Sequence, residues 1–183
     1  MMTDLIDVLD EAGLRTGEVL PRTEIHRLGK RHRAVRIYLF NARNELLLQR
    51  RASTVDHAPN VFSISVVGHV NAGEYSALTV RRELAEELGV DAAHRPIDFL
   101  FSYYQEAILN DTYIDRQFND IYMLRADLDL ADFHVDSREV AEVKFVPFVE
   151  FLAMLEDASS VMARVYGQEC RDLVYFMEKS GAG

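Results

Sequence analysis

The chain has 183 residues, a net charge of −10 and a single cysteine, Cys170. That length suits one domain burying roughly two-thirds of its unfolded surface. The acidic balance argues against nucleic-acid polymers and anionic membranes, which call for a basic field. It leaves room for a phosphorylated small molecule, because a bound metal reverses the local sign. One cysteine excludes an internal disulfide and a cysteine zinc site. Met1-Met2-Thr3-Asp4-Leu5 lacks a signal-peptide core, and no stretch approaches the roughly 20 apolar residues of a membrane span. A cytoplasmic location is expected.

In chain order, residues 5–20 read as a hairpin turning at Asp10-Glu11-Ala12-Gly13. Residues 34–40 and 46–50 read as strands joined by the polar turn Asn41-Ala42-Arg43-Asn44. After Pro59-Asn60, Phe62, Ile64 and Val66 alternate with Ser63 and Ser65, which predicts a strand with one buried face. Residues 68–73 form a loop, and 76–88 a helix stopped by Gly89. Strands are expected near 99–105, 118–125 and 142–146. Pro147 opens a short helix to about 156, and a last helix covers about 160–178, with Cys170 in its apolar face. These elements suggest a mixed sheet covered by helices on both sides.

The chemistry concentrates in residues 68–90, GHVNAGEYSALTVRRELAEELGV. Glu83, Glu86 and Glu87 stand at i, i+3 and i+4 of the predicted helix and share a face. Ala77, Val80, Leu84 and Leu88 form a separate apolar stripe. A stable helix has no need of three mutually repelling carboxylates, whereas hard oxygen ligands in that number suit Mg²⁺. A solvated acidic face is the plainer reading of the helix alone. The preceding loop favours the metal. Gly68 lets a backbone carbonyl approach an ion closely, and Glu74 can pair with Arg82 to fix the loop.

This segment resembles the Nudix box: Gly, five residues, Glu, seven residues, then Arg-Glu-aliphatic-any-Glu-Glu-any-Gly-aliphatic. Gly68, Glu74, Arg82, Glu83, Leu84, Glu86, Glu87, Gly89 and Val90 fill it without departure. The resemblance implies a Nudix-type α/β/α sandwich around a mixed β-sheet in a single domain over 1–183. An N-terminal hairpin extension would cover about 1–33, and C-terminal helices about 147–178. It implies hydrolysis of a phosphoanhydride in a small diphosphate substrate, with Mg²⁺, or Mn²⁺, held by Glu83, Glu86, Glu87 and the Gly68 carbonyl. Arg82 would orient Glu83, and Glu74 would pair with Arg82.

Outside the box, Arg22, Ile25-His26, His32-Arg33-Ala34 and Leu48-Gln49-Arg50-Arg51 are similar to the Nudix branch that includes type I isopentenyl diphosphate isomerase. There His26, His32 and His69 stand at positions of metal-ligating histidines, although each has a plain structural reading. The isomerase cysteine falls at Val67, which transfers no proton. Its later pair of glutamates is matched to Phe118-Asn119-Asp120, leaving Asp120 as an extra ligand, a base or a surface acid. Its basic residue near position 55 is Val55. A hydrolase on an isomerase-like frame is therefore expected over an isomerase, and over a non-catalytic nucleotide sensor, which would be expected to lose box acids. Arg50 and Arg51 are candidate phosphate ligands. They lie on alternate faces, and Arg51 is preferred. Glu139 and Glu142 are candidates from a late loop. Phe101, Tyr103 and Tyr104 either stack a base or pack the core. The N-terminal hairpin serves either a homodimer or as a cap on the sheet.

Overall fold

The computed structural model describes residues 4–55, 58–157 and 161–180. The leader reading at Met1, Met2 and Thr3 lies outside them, as do the first residue expected in the last helix and the three residues that end the chain. The central strand is β3 (His32–Phe40). It pairs antiparallel with β4 (Glu45–Arg51) and β6 (Val66–His69) and parallel with β8 (Tyr113–Arg125). β5 (Phe62–Ser63) and β9 (Val140–Pro147) extend the sheet beyond β4, and β7 (Asp98–Asn110) beyond β8. A strand so enclosed is buried on both faces, which explains its near-continuous apolar run.

Alternation along β3 builds two cores. Val35, Ile37 and Leu39 pack with Val80, Leu84 and Leu88 of α2 (Ser76–Leu88). Tyr38 and Phe40 pack on the other face with Phe151 of α3 (Phe148–Glu156) and with Met162, Tyr166, Cys170 and Leu173 of α4 (Val161–Ser180). The expected α/β/α sandwich is thus present. Ala77 is exposed, and Thr79 is buried in its place. Cys170 is fully buried, and burial pushes its thiol up to about 12.

Four differences from the sequence reading matter here. A short helix, α1 (Arg22–Leu28), follows the hairpin of β1 (Leu5–Leu9) and β2 (Arg15–Pro21). It has too few residues to show a helical period, and a left-handed Gly29 ends it. The expected 62–66 strand is split, and Ser63, Ile64, Ser65 and Val66 are all buried. Ser65 Oγ bridges the split, accepting from Leu39 N at 2.8 Å and donating to the Leu47 carbonyl at 2.7 Å. β7 and β8 run on as a long hairpin to Asn110 and Tyr113, well past the expected ends. Finally, the N-terminal hairpin docks onto the loop after β6. Ala72 N donates to the Leu5 carbonyl and Gly73 N to Asp7. Among the described residues, no helix is long and apolar enough to cross a membrane.

Candidate functional site

β6 ends at His69, and α2 begins seven residues later, so the loop between them folds back over the helix. Arg82 ties it down. Its Nε and Nη2 donate to the two Glu74 carboxylate oxygens at 3.2 and 3.1 Å, and Nη2 also donates to the His69 carbonyl at 3.0 Å. Its Nη1 reaches Glu83 and Glu86, each at 2.9 Å. Thr79 adds a 2.8 Å hydrogen bond to Glu74. One guanidinium therefore joins loop, strand end and carboxylate face, using the planar fork that suits arginine to the task.

Glu83 lies directly on Gly68. A Cβ at residue 68 would stand 2.2 Å from the Glu83 carboxyl carbon. Glycine is required here for close approach, and its backbone torsion is unexceptional. Glu83 and Glu87 are buried, while Glu86 is exposed. Burial pushes Glu83 up to about 7, Arg82 opposing and Glu86 adding to the rise. Burial and the Glu83 charge push Glu87 up to about 8. Gln49 on β4 steadies Glu87 by a 3.0 Å bond from its Nε2. Two buried, repelling carboxylates beside a bare backbone form a donor set that fits a hard divalent cation.

A cavity of about 390 Å³ opens over this cluster. Gly68, His69, Arg82, Glu83, Glu86 and Glu87 line it, together with Arg51 and Glu139. Arg50 turns outward to Glu142, 3.0 Å away. Asp120 does not join the cluster. It pairs with Arg33 at 2.6 Å and lines a separate depression with Asp7 and Glu74. Phe101 packs in the core, Tyr103 bonds Arg36, and Tyr104 sits half-exposed against Phe118.

The histidines converge from three elements. His26 comes from α1, His32 from the start of β3 and His69 from the end of β6. Their ligand atoms all lie within 4.8 Å of one another, with His26 Nε2 3.2 Å from His69 Nε2. His32 Nδ1 stands 2.9 Å from the Lys30 carbonyl, which can only accept, so Nδ1 carries the proton. The buried Nε2 is left with a free lone pair and no partner among the described residues. Burial holds His32 down at about 4 and His69 well below the usual range. His32 and His69 are therefore neutral near pH 7, the form that ligates metal. His26 Nδ1 stands 2.9 Å from Asp115.

The acids matched to residues 118–120 are thus misplaced by sequence. The i, i+2 positions of β8 that line the cavity are Asp115 and Gln117. Strand alternation turns Phe118 and Asp120 the other way. Asp115, Gln117, Gln49 and the lining cations Arg22 and Arg138 gave no box-like signal, and only the parallel β3–β8 register could have found the first two.

The NUDIX domain family model matches residues 30–166. The chain belongs to the Nudix family. It is 38% identical to Nudix hydrolase 3 of Arabidopsis thaliana over 174 residues, covering 92% of this chain but only 22% of that protein. It is also 30% identical to isopentenyl-diphosphate Delta-isomerase 2 of Photorhabdus laumondii over 140 residues, 76% of each chain. The isomerase-like branch read from the sequence is thereby supported. The Deinococcus radiodurans DR0079 structure shares the fold, with a TM-score of 0.69 at 23% identity over 85% of this chain and 90% of that one. A Caenorhabditis elegans Ap4A hydrolase does so at 0.57 and 16%, over 80% and 98%.

Proposed function

We propose that this Nudix chain hydrolyses a phosphoanhydride in a small organic diphosphate with Mg²⁺, Mn²⁺ being the substitute. The observation that carries this reading is the buried Glu83–Glu87 pair, with Glu83 laid on Gly68. Glu83, Glu86, Glu87 and the Gly68 carbonyl would hold the metal. When bound, the ion offsets charge on the diphosphate oxygens in the transition state. Arg82 positions Glu83 and, through Glu74, fixes the loop carbonyls. Gln49 positions Glu87. Arg51 supplies a cation to the phosphates. Water adds to one phosphorus, the bridging P–O bond breaks with its electron pair leaving on the departing phosphate, and a carboxylate or bulk water takes the proton. Cleavage of a panel of nucleotide, nucleotide-sugar, dinucleotide and prenyl diphosphates, with Mg²⁺ or Mn²⁺ and the phosphate-bearing products resolved, tests this. Loss of all cleavage in Glu87→Gln is expected, and near-normal turnover in that variant would refute the assignment.

One observation favours a second reading, isopentenyl diphosphate isomerisation. The His26–His32–His69 cluster is a further divalent site of nitrogen ligands, suited to Zn²⁺ or Mn²⁺. Val67 and Gln117 oppose it, because neither side chain exchanges a proton at the carbon skeleton.

A further inference from the structure

The loop between β6 and α2 is held from outside the motif, by the N-terminal hairpin. Ile6 and Val8 of β1 are buried with Ile25 in a small core of their own. Strand alternation turns Asp7 to the other side, where it meets the loop. Its Oδ2 accepts from Gly73 N at 2.8 Å and pairs with Arg15 Nε at 2.9 Å. Arg15 opens β2 opposite Leu9. Its Nη2 donates to the Glu74 carbonyl, and its guanidinium lies 5.3 Å from the centre of the Tyr75 ring. Ala72 N donates to the Leu5 carbonyl at 2.7 Å, and an isolated bridge joins Ile6 to Asn71. Each residue from Asn71 to Tyr75 thus touches the hairpin.

The loop's own bonds run from Glu74 N to the Asn71 carbonyl at 2.9 Å and from Asn71 N to the Glu74 carboxylate at 3.3 Å. Gly73 stands at φ 78, and a Cβ there would meet nothing within 4 Å, so glycine serves the turn and no packing fixes the chain at that point. A loop of this kind takes its position from what binds it. Glu74 passes that position on. Its carboxylate holds Arg82 Nε and Nη2, while Arg82 Nη1 sits on Glu83 and Glu86. The guanidinium is therefore shared between the loop and two candidate metal ligands.

That sharing decides how a cation is received. With Glu74 in place, two of the three Arg82 nitrogens are committed to the loop side. With Glu74 displaced, more of the Arg82 charge falls on Glu83 and Glu86 and competes with a cation for their oxygens. Residues that orient metal ligands without touching the metal govern affinity in this way. The Asp7 and Arg15 side chains are 16% and 42% exposed. An ion pair this open to solvent adds little to stability, so its removal can be read apart from folding.

We propose that Asp7, with Arg15, is a positioning residue for the metal site: the hairpin holds the loop so that Arg82 stays divided between Glu74 and Glu83, and it thereby sets the affinity of the carboxylates for Mg²⁺. The proposal rests on the reading of Glu83, Glu86 and Glu87 as metal ligands. Titration calorimetry of the full chain with Mg²⁺ alone reads that affinity, and Glu87→Gln reports whether the carboxylates hold the ion. Asp7→Ala is expected to weaken Mg²⁺ binding about tenfold. Asp7→Asn keeps an oxygen for Gly73 N and should stay within about threefold of wild type. Thr16→Val removes a 3.0 Å bond from Thr16 Oγ1 to the Val8 carbonyl, inside the hairpin and away from the loop. It should leave the affinity unchanged whatever it does to the melting temperature. Should Asp7→Ala fail to fold, Arg15→Ala, which removes the Glu74 contact, carries the same expectation. Three results overturn the proposal: wild-type affinity in the folded alanine variant, Asp7→Asn as weak as Asp7→Ala, or Thr16→Val weakening binding equally. Wild-type Mg²⁺ binding that Glu87→Gln leaves intact defeats the metal reading and the proposal with it. Binding that Glu87→Gln abolishes and Asp7→Ala leaves intact defeats the role of the hairpin alone.

Discussion

Two metal-ready clusters flank the end of β6, and they are built differently. On one side Glu83 and Glu87 project from a single helix, Glu83 against Gly68, two buried carboxylates held by the Arg82 guanidinium on Glu83 and a Gln49 hydrogen bond on Glu87. On the other, His26, His32 and His69 arrive from three elements as nitrogen donors, with Asp115 beside His26 Nδ1 and the Lys30 carbonyl beside His32 Nδ1. The first cluster is strained by two buried acids that repel each other, whereas burial keeps His32 and His69 of the second uncharged. On the hydrolase reading proposed above, hard, charged phosphate chemistry would use the first side.

The largest effect that would sharpen this contrast is on turnover. Glu87→Gln is expected to lower kcat by at least about 10²-fold while leaving the metal-free melting temperature unchanged or higher, because one of two repelling acids is gone. Steady-state kinetics and melting in EDTA check both halves. Gly68→Ala comes next. The new Cβ collides with the Glu83 carboxyl group, so activity should fall and stability drop by about 1–3 kcal/mol, read by urea titration.

Protonation tests the strain itself. Glu83 and Glu87 sit at about 7 and 8 in the folded chain against an ordinary 4.5, so the folded state holds protons that the unfolded state releases. Stability in EDTA should therefore be greatest at low pH with respect to these groups and be lost as pH rises through about 7 to 8. Mg²⁺ should restore it at pH 8. Melting with and without the ion measures this, and a metal-free Tm that climbs from pH 6 to 8 would speak against the buried acid pair. The smallest effect is expected on the histidine side. His32→Asn should abolish Zn²⁺ or Mn²⁺ retention on dialysis yet change Mg²⁺-dependent kcat little. A collapse of kcat to the Glu87→Gln level would break the comparison.

The two clusters also differ in how far the sequence discloses them. The carboxylates, Gly68, Glu74 and Arg82 fall in one contiguous motif with helical spacing, so they are visible without a fold. The histidines are visible only through resemblance, because α1 is too short to announce itself and His26 depends on it. Asp115 and Gln117 depend on which residues of β8 align with β3, and a three-residue misplacement selects Asp120, which faces away to Arg33. The sheet and its two cores were legible because β3 alternates two apolar sets. The 62–66 strand was not, because Ser65 satisfies backbone groups that a pattern of alternation assigns to solvent.

The most direct test of the hydrolase account follows the oxygen. Wild-type protein with Mg²⁺ is incubated in ¹⁸O-labelled water with its best substrate from the diphosphate panel, and separately with isopentenyl diphosphate, and the products are resolved by mass spectrometry. The account predicts one labelled oxygen in a phosphate product of the first reaction and no dimethylallyl diphosphate from the second. Isomerised diphosphate, with no labelled phosphate from any substrate, would contradict it.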